Sequence, residues 1–288
     1  ASAGIPLFLM AIMVGNGANA GSLSPFAPTG IIVNGLMARN DMGGLEAETY
    51  LYNLGAHAFV AFGGYFLFGG WKLFGAGRAG TQAAPASSTG DGVFERQHIA
   101  TLGLIGLLIL SVIFFEVNVG MGAFFVAVLL VLTGCADDRE AIKRMPWNVI
   151  IMVCGVTVLI AVLEKAQGID LLVSLVARFA TKETVAPLVA FLTGIISVYS
   201  STSGVVLPAF LPMVPGLAAE LGGADPFGIA ASMNVGGHLV DVSPLSTIGA
   251  LCIASAPTDD SRALFNKLLA WGLGMTVVGA GVCYLLFG

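Results

Sequence analysis

Charge is what this sequence has least of. Lysine, arginine, aspartate and glutamate together make up 10% of its 288 residues, against roughly 25% in a soluble domain. So few charges cannot coat a water-soluble globule of this size. No basic tract occurs, which excludes a nucleic-acid partner. Cysteine is scarce as well: Cys135, Cys154, Cys252 and Cys283 stand far apart without a Cys-x-x-Cys pair. That spacing fits small buried hydrophobes and says little about redox compartment. The chain opens on Ala1 and passes into apolar sequence without the charged leader of a signal peptide. We therefore expect a piece of a longer protein.

What is abundant is apolar residues, at 57%. They fall in long uncharged runs: Ala1–Ala38, Thr49–Trp71, Val117–Ala136, Met145–Leu163, Thr184–Ala219 and Leu268–Gly288. A bilayer core about 30 Å thick needs roughly 20 apolar residues per helix. The chain is therefore expected to be an all-α polytopic membrane protein, with the lipid bilayer as its surroundings. Plain spans are expected at Thr49–Trp71, His98–Phe115, Val117–Cys135, Pro146–Leu163 and Asn266–Gly288. Pro146 follows a basic turn and suits the first turn of a helix. Glu116 reads as a turn residue between two spans.

Three segments depart from the plain pattern. Ser2–Ala38 and Phe227–Ala256 are each interrupted near the middle by Gly, Pro and small polar residues. Thr184–Ala219 has polar residues at its centre and then Pro208, Pro212 and Pro215. Non-helical backbone at membrane depth must be buried in protein or line a watery cavity, so broken helices and a re-entrant hairpin over 184–219 are expected. Gly75–Gly92 is small, polar and low in complexity, and reads as a flexible linker. Leu163–Lys182 mixes apolar residues with Lys165, Asp170 and Arg178, which fits an interfacial amphipathic helix.

The two broken segments are related. A shift of 219 residues places Gly17 on Gly236, Ser24-Pro25 on Ser243-Pro244 and Gly30 on Gly249. The same shift aligns Asp41, Leu45, Leu54-Gly55, Ala61, Tyr65 and Leu67-Phe68-Gly69 with Asp260, Leu264, Leu273-Gly274, Ala280, Tyr284 and Leu286-Phe287-Gly288. That makes 13 identities over positions 15–69 without a gap. Five crossings separate the copies if the hairpin does not cross, so the copies are expected to be inverted, the pattern of secondary transporters. The organisation expected is residues 1–71 as the end of a truncated first repeat, 72–97 as a cytoplasmic linker and 98–288 as the second repeat. The second repeat would hold three scaffold helices, the hairpin, the broken helix 227–256 and the final span 266–288. Subtracting the offset, 98 − 219 = −121, predicts about 120 further residues upstream. With the linker cytoplasmic, eight Lys and Arg residues face inward (Lys72, Arg78, Arg96, Arg139, Lys143, Arg144, Arg262 and Lys267). Four face outward (Arg39, Lys165, Arg178 and Lys182). The hairpin would then enter from the outer face.

Polar residues without charge concentrate in three clusters at membrane depth. The first holds Asn16, Asn19, Ser24, Pro25 and Thr29. The second, at the hairpin centre, holds Ser200, Ser201, Thr202 and Ser203. The third holds Asn234, Gly236, Ser243, Pro244 and Thr247. Unwound backbone offers carbonyls to a cation and amides to an anion, and half-helix N-termini favour a carboxylate. The competing reading is close helix packing through small residues. His238 and Asp241, three residues apart in the third cluster, are read as a coupling pair for a proton or cation, as a structural polar pair, or as two ligands of a metal, for which two are too few. No metal is assigned. His57, alone in an apolar span, reads as a packing histidine.

Three segments carry a resemblance: GNGANAGSLSPFAPTGIIVNG, YSSTSGVVLPAFLPMVPGL and MNVGGHLVDVSPLSTIGALC. With PWNVIIMVCG from Pro146, they are similar to the MatC-type dicarboxylate (malonate) carriers of the ion transporter superfamily, which also includes divalent anion–sodium symporters and citrate carriers. The resemblance implies two inverted repeats, each with scaffold helices, a re-entrant hairpin, a discontinuous helix and a final span, and elevator-type movement of the substrate. By position, Ser200 to Ser203 match the Ser-Asn-Thr hairpin tip of the symporters, although the Asn is absent here. Asn234, Gly236 and Ser243-Pro244 match the broken helix facing that tip, and Asn16, Asn19, Ser24 and Pro25 its counterpart. The function expected is transport of a small dicarboxylate, malonate foremost, with Na⁺ or H⁺ as coupling ion and no other cofactor. The expected setting is a bacterial inner membrane, with a homodimer as the assembly. A cation/proton antiporter or arsenite-type exporter of the same superfamily is the alternative. A membrane-embedded enzyme is a different class, and neither His-Glu-x-x-His nor Gly-x-Ser-x-Gly occurs.

Overall fold

The computed structural model describes residues 5–71, 96–115, 117–145, 147–256 and 261–288. Most of the expected linker, together with Glu116, Pro146 and Asp260, lies outside the described residues. The described chain is helical, in two compact units.

The smaller unit holds α4 (Arg96–Phe115), α5 (Val119–Leu132) and α6 (Asp138–Lys143). Asn118 caps α5 by accepting from the Met121 amide at 3.1 Å, and Asp137 caps α6 from the Glu140 amide at 2.8 Å. None of the residues of these three helices is buried. Leu, Ile and Phe point outward on every side of α4, as they do on a helix immersed in lipid. Its 20 residues give about 30 Å, the thickness of a bilayer core.

The larger unit contains α1 (Leu7–Ala20), α2 (Pro28–Arg39), α3 (Glu46–Leu67), α7 (Trp147–Lys165), α8 (Gly168–Ala177) and α9 (Val185–Ser197). A π-turn (Thr202–Val206), α10 (Leu207–Phe210), a 3₁₀ turn (Leu211–Met213) and α11 (Val214–Glu220) follow. The unit closes with α12 (Pro226–Leu239), α13 (Thr247–Ala254) and α14 (Ser261–Phe287). The expected helix over 163–182 is in fact two: Gln167 adopts φ 58° and separates α7 from α8. α8 buries Ile169, Val173 and Val176 and leaves Leu171 and Leu175 exposed.

The prolines dictate how the arm after α9 is built. Pro208, Pro212 and Pro215 have no amide hydrogen, so a uniform i→i−4 ladder cannot form. The backbone changes pitch instead: the Val205 and Val206 amides both donate to Ser201 O, at 3.0 and 3.1 Å, and a 3₁₀ turn precedes α11. α9, with 13 residues, is about 20 Å long and too short to cross a bilayer core. Among the described residues, Arg96–Phe115, Thr202–Glu220 and Ser261–Phe287 are long and apolar enough to do so.

The two broken helices are built alike, residue for residue. Adding 219 to the bounds of α1, 7 and 20, gives 226 and 239, the bounds of α12. Adding it to the start of α2, 28, gives 247, the start of α13. Between them lie the first break, 21–27, and the second, 240–246. In the first, amides of Ser22, Ser24, Ala27 and Ile31 donate to Asn19, Gly21, Ser24 and Ala27. In the second, Asp241, Ser243, Ser246 and Ala250 donate to His238, Val240, Ser243 and Ser246. Every pair is displaced by 219. The Phe26 and Leu245 amides also meet the hydroxyls of Ser24 and Ser243, each at 3.4 Å.

Two apolar clusters fill the larger unit. One joins α2, α8, α9, the 202–220 arm and α12; the other joins α1, α3, α9, α12 and α14. α12 runs through both and is buried along almost its whole length. It crosses α9 at small residues, where a Cβ on Gly236 would lie 2.6 Å from Ala190 Cα.

Candidate functional site

Polar side chains gather where the turn after α9 meets the second break. Ser201 accepts from the Gly204 amide at 3.1 Å and opens the π-turn. Thr202, buried, has its hydroxyl 3.1 Å from Ser197 Oγ and 3.3 Å from Gly237 O. One hydroxyl has a single proton, so these groups share it by rotation. Ser243 Oγ donates to Val198 O at 2.8 Å and fastens the break to the end of α9. Ser246 Oγ donates to Ser243 O at 2.7 Å and also reaches Asp241 O. Its hydroxyl therefore caps none of the amides that open α13. Those amides carry the positive end of the helix dipole without a side-chain acceptor from the chain.

The second and third polar clusters of the sequence thus form one site. His238 lies in the last turn of α12 and Asp241 past its end, so the pair does not share one helix face. Pro244 is buried under the break, whereas Thr247 at the start of α13 is exposed. Ser200 and Ser203 flank Thr202, both half-buried.

The first cluster divides. Asn16 and Asn19 point into the unit, both buried. Asn16 donates to Ile12 O at 2.8 Å, and Asn19 donates to the carbonyl of His238, its counterpart at offset 219, at 3.3 Å. Ser24, Pro25 and Thr29 are half-buried, and no hydrogen bond ties them to the second break.

A family model for the citrate transporter, CitMHS, matches residues 1–233. The chain belongs to the citrate transporter family. That makes it an integral membrane protein of a family of secondary transporters for citrate-like anions rather than of enzymes. No curated protein and no solved structure matches it. The match ends one residue before Asn234, ahead of the second break.

The interior also holds a row of polar residues on α3. Thr49, Asn53 and His57 are buried at successive i+4 positions along α3. Thr49 donates to Leu45 O at 2.7 Å and lies 3.7 Å from Met37 Sδ, which also takes a contact from Asn234 Nδ2 at 3.8 Å. Asn53 Nδ2 donates to Asn19 O at 2.8 Å, and His57 Nδ1 lies 3.0 Å from Asn16 Oδ1. His57 is therefore bonded into the first cluster as well as packed. The spacing of four along one helix face was the available signal.

Proposed function

We propose that this transporter carries a small polycarboxylate, citrate or a dicarboxylate such as malonate, by symport with Na⁺ or H⁺. The anion sits where the turn after α9 meets the second break. The observation that carries this reading is the docking of Thr202 against Gly237 near the end of α12, ahead of a break whose following helix, α13, starts without a side-chain cap. Hydroxyls of Ser201 and Thr202 and the first amides of α13 are neutral donors, which hold a carboxylate loosely enough to release it. Asp241 supplies the reason for a coupling ion. Two unit negative charges 4 Å apart repel by about 4 kcal/mol at an effective dielectric of 20. A proton or Na⁺ at Asp241 removes that repulsion, so anion and cation bind together. The repeated helix–break–helix units are read as inverted across the bilayer, which lets the site face either side in turn.

Uptake into proteoliposomes tests this, with citrate, malonate, succinate and arsenite, each with and without an imposed Na⁺ or pH gradient. Citrate or a dicarboxylate is expected to accumulate, and Thr202→Val is expected to raise its KM about tenfold, the cost of one lost hydrogen bond of roughly 1.4 kcal/mol. Transport of arsenite alone, or an unchanged KM in Thr202→Val, overturns the assignment.

A further inference from the structure

Two open grooves on the larger unit stand at positions that the repeat makes equivalent. The first has a volume of about 540 Å³, and Glu48, Leu51, Tyr52, Gly55 and Ala56 of α3 form one wall. The second has a volume of about 570 Å³, and Lys267, Ala270, Trp271, Gly274 and Met275 of α14 form the matching wall. Each residue of the second wall lies 219 beyond its counterpart in the first. An aromatic triad borders each groove as well. In the first, Tyr52, Phe227 and Phe287 have ring centroids 4.9–6.4 Å apart. In the second, Trp271, Phe8 and Phe68 are 5.0–6.2 Å apart. The triads are related by the same offset.

α3 and α14 run antiparallel. Tyr52 near the start of α3 meets Phe287 at the end of α14, and a Cβ on Gly64, near the end of α3, would lie 2.9 Å from the Trp271 ring. The grooves therefore open at opposite ends of the pair. Leu67 lines the second groove, and the rise along α3 from Glu48 to Leu67 is about 28 Å, close to the thickness of a bilayer core. In an integral membrane protein this sets one groove in each leaflet. The surrounding side chains are apolar and exposed, Leu51, Phe59 and Leu285 at the first and Leu67 and Phe68 at the second. Gly55 and Gly274 have nothing within 4 Å of the place where a Cβ would sit, which keeps both walls recessed. What differs between the copies is the charge at the rim. Glu48 stands at the position equivalent to Lys267, both are exposed, and neither forms an ion pair among the described residues.

We propose that the two grooves are phospholipid sites, one per leaflet, and that the rim charge selects the headgroup, so that the Lys267 groove takes an anionic phospholipid. An acyl chain lies along the apolar wall, and the headgroup phosphate meets the Lys267 ammonium. Tyr52 and Trp271 stand one helical turn from the charged residue, where amphipathic rings mark the headgroup level of a membrane. A lysine stem can lie along such a wall while its charge reaches the interface. The Lys267 groove opens on the side that the distribution of lysine and arginine assigns to the cytoplasm, where the leaflet surface is negative. At the equivalent groove Glu48 repels a phosphate that carries no compensating amine, so a zwitterionic headgroup is preferred there. Discrimination thus comes from attraction at one site and repulsion at the other. None of this depends on which anion the transporter carries.

The chain has three tryptophans, so Trp71→Phe and Trp147→Phe leave Trp271 as a reporter in the wall of the second groove. Its fluorescence is followed in vesicles of unlabelled phosphatidylcholine that contain a small fraction of lipid with brominated chains, which quench indole at contact. Brominated phosphatidylglycerol is expected to bind about fivefold more tightly than brominated phosphatidylcholine, the effect of one basic residue at an anionic surface. Lys267→Gln, at an exposed side chain, is expected to erase that preference. Tyr52→Trp, with all three natural tryptophans changed to Phe, reports on the first groove. There phosphatidylcholine is expected to be preferred, and Glu48→Lys to reverse the order. Equal binding of the two lipids at Trp271, or a preference that survives Lys267→Gln, overturns the headgroup assignment. Gly274→Leu fills the second groove and is expected to remove the tight quenching while the protein stays monodisperse. Quenching unchanged by Gly274→Leu comes from lipid around the protein at large and overturns the site. No quenching by either lipid means that protein, a second copy or another part of the chain, covers the groove, and equally overturns it.

Discussion

In α1, ahead of the first break, Gly17 has nothing within 4 Å of the place where a Cβ would sit. In α12, ahead of the second, a Cβ on Gly236, 219 residues further on, would collide with the backbone of Ala190. Between the two positions the backbone scarcely changes: helix bounds, turn hydrogen bonds and the Ser-Pro step coincide. The surroundings change completely. α12 has α9 laid across it and Ser243 bonded to Val198, while the matching face of α1 is open at Met10, Val14 and Gly17. The same local sequence chemistry thus makes the break in both places, and packing by another segment turns one of them into an enclosed polar site. Shape comes from the Gly, Ser and Pro of the break itself, and enclosure from what closes over it.

The largest expected effect is at these glycines. Gly236→Ala should cost about 3 kcal/mol or more, because the methyl group meets backbone that cannot rotate away. Gly17→Ala should be neutral or stabilise by about 0.5–1 kcal/mol, as alanine does at an open helical position. Thermal unfolding of the two variants in detergent, followed by loss of monodisperse protein, gives the difference directly. Equal losses would mean that the face of α1 is covered as tightly as that of α12.

A smaller contrast is expected at the serines. Ser243→Ala removes the donor to Val198 O in a buried setting and should cost roughly 1–3 kcal/mol. Ser24→Ala loses only a long contact with the Phe26 amide and should stay within about 0.5 kcal/mol. The double variant should be additive if the breaks are independent. Non-additivity beyond about 0.5 kcal/mol would show coupling through contacts between the copies, such as that of Asn19 with the His238 carbonyl.

Much of this comparison could be read in the sequence, and the reasons are local. The Ser-Pro steps and flanking glycines mark both breaks, since proline and glycine act on the backbone where they stand. The prolines at 208, 212 and 215 likewise announce an irregular arm, though not the alternation of π, α and 3₁₀ turns that relieves it. The left-handed turn at Gln167 was missed because glutamine gives no such signal, the glycine standing one residue later. His57 was read as packing because its partner, Asn16, lies 41 residues away and is brought to it only when α1 packs on α3. Helix faces can be read from spacing, but the pairing of faces depends on tertiary packing. For the same reason Ser24 and Pro25 match Ser243 and Pro244 in sequence, although the structure encloses only Ser243 and Pro244.

The smallest expected change in stability is the sharpest test of which break holds the anion. α2 begins with Pro28 and α13 with Thr247, at equivalent positions of the two copies. The preceding residues are both extended, Ala27 at φ −82° and ψ 147° and Ser246 at φ −91° and ψ 168°, a conformation that tolerates a following proline. The amide at the first helical position has no intrahelical acceptor to lose. Thr247→Pro should therefore fold as well as the wild type, within about 1 kcal/mol. What it deletes is one N–H at the start of α13, aimed where the carboxylate is proposed to sit. If that amide binds the anion, KM for the carboxylate rises several-fold while melting temperature and expression hold, at the roughly 1 kcal/mol expected of one hydrogen bond. An unchanged KM would move the anion away from α13. The converse variant, Pro28→Thr, restores an amide at the open break and should leave KM untouched if only the covered break binds substrate.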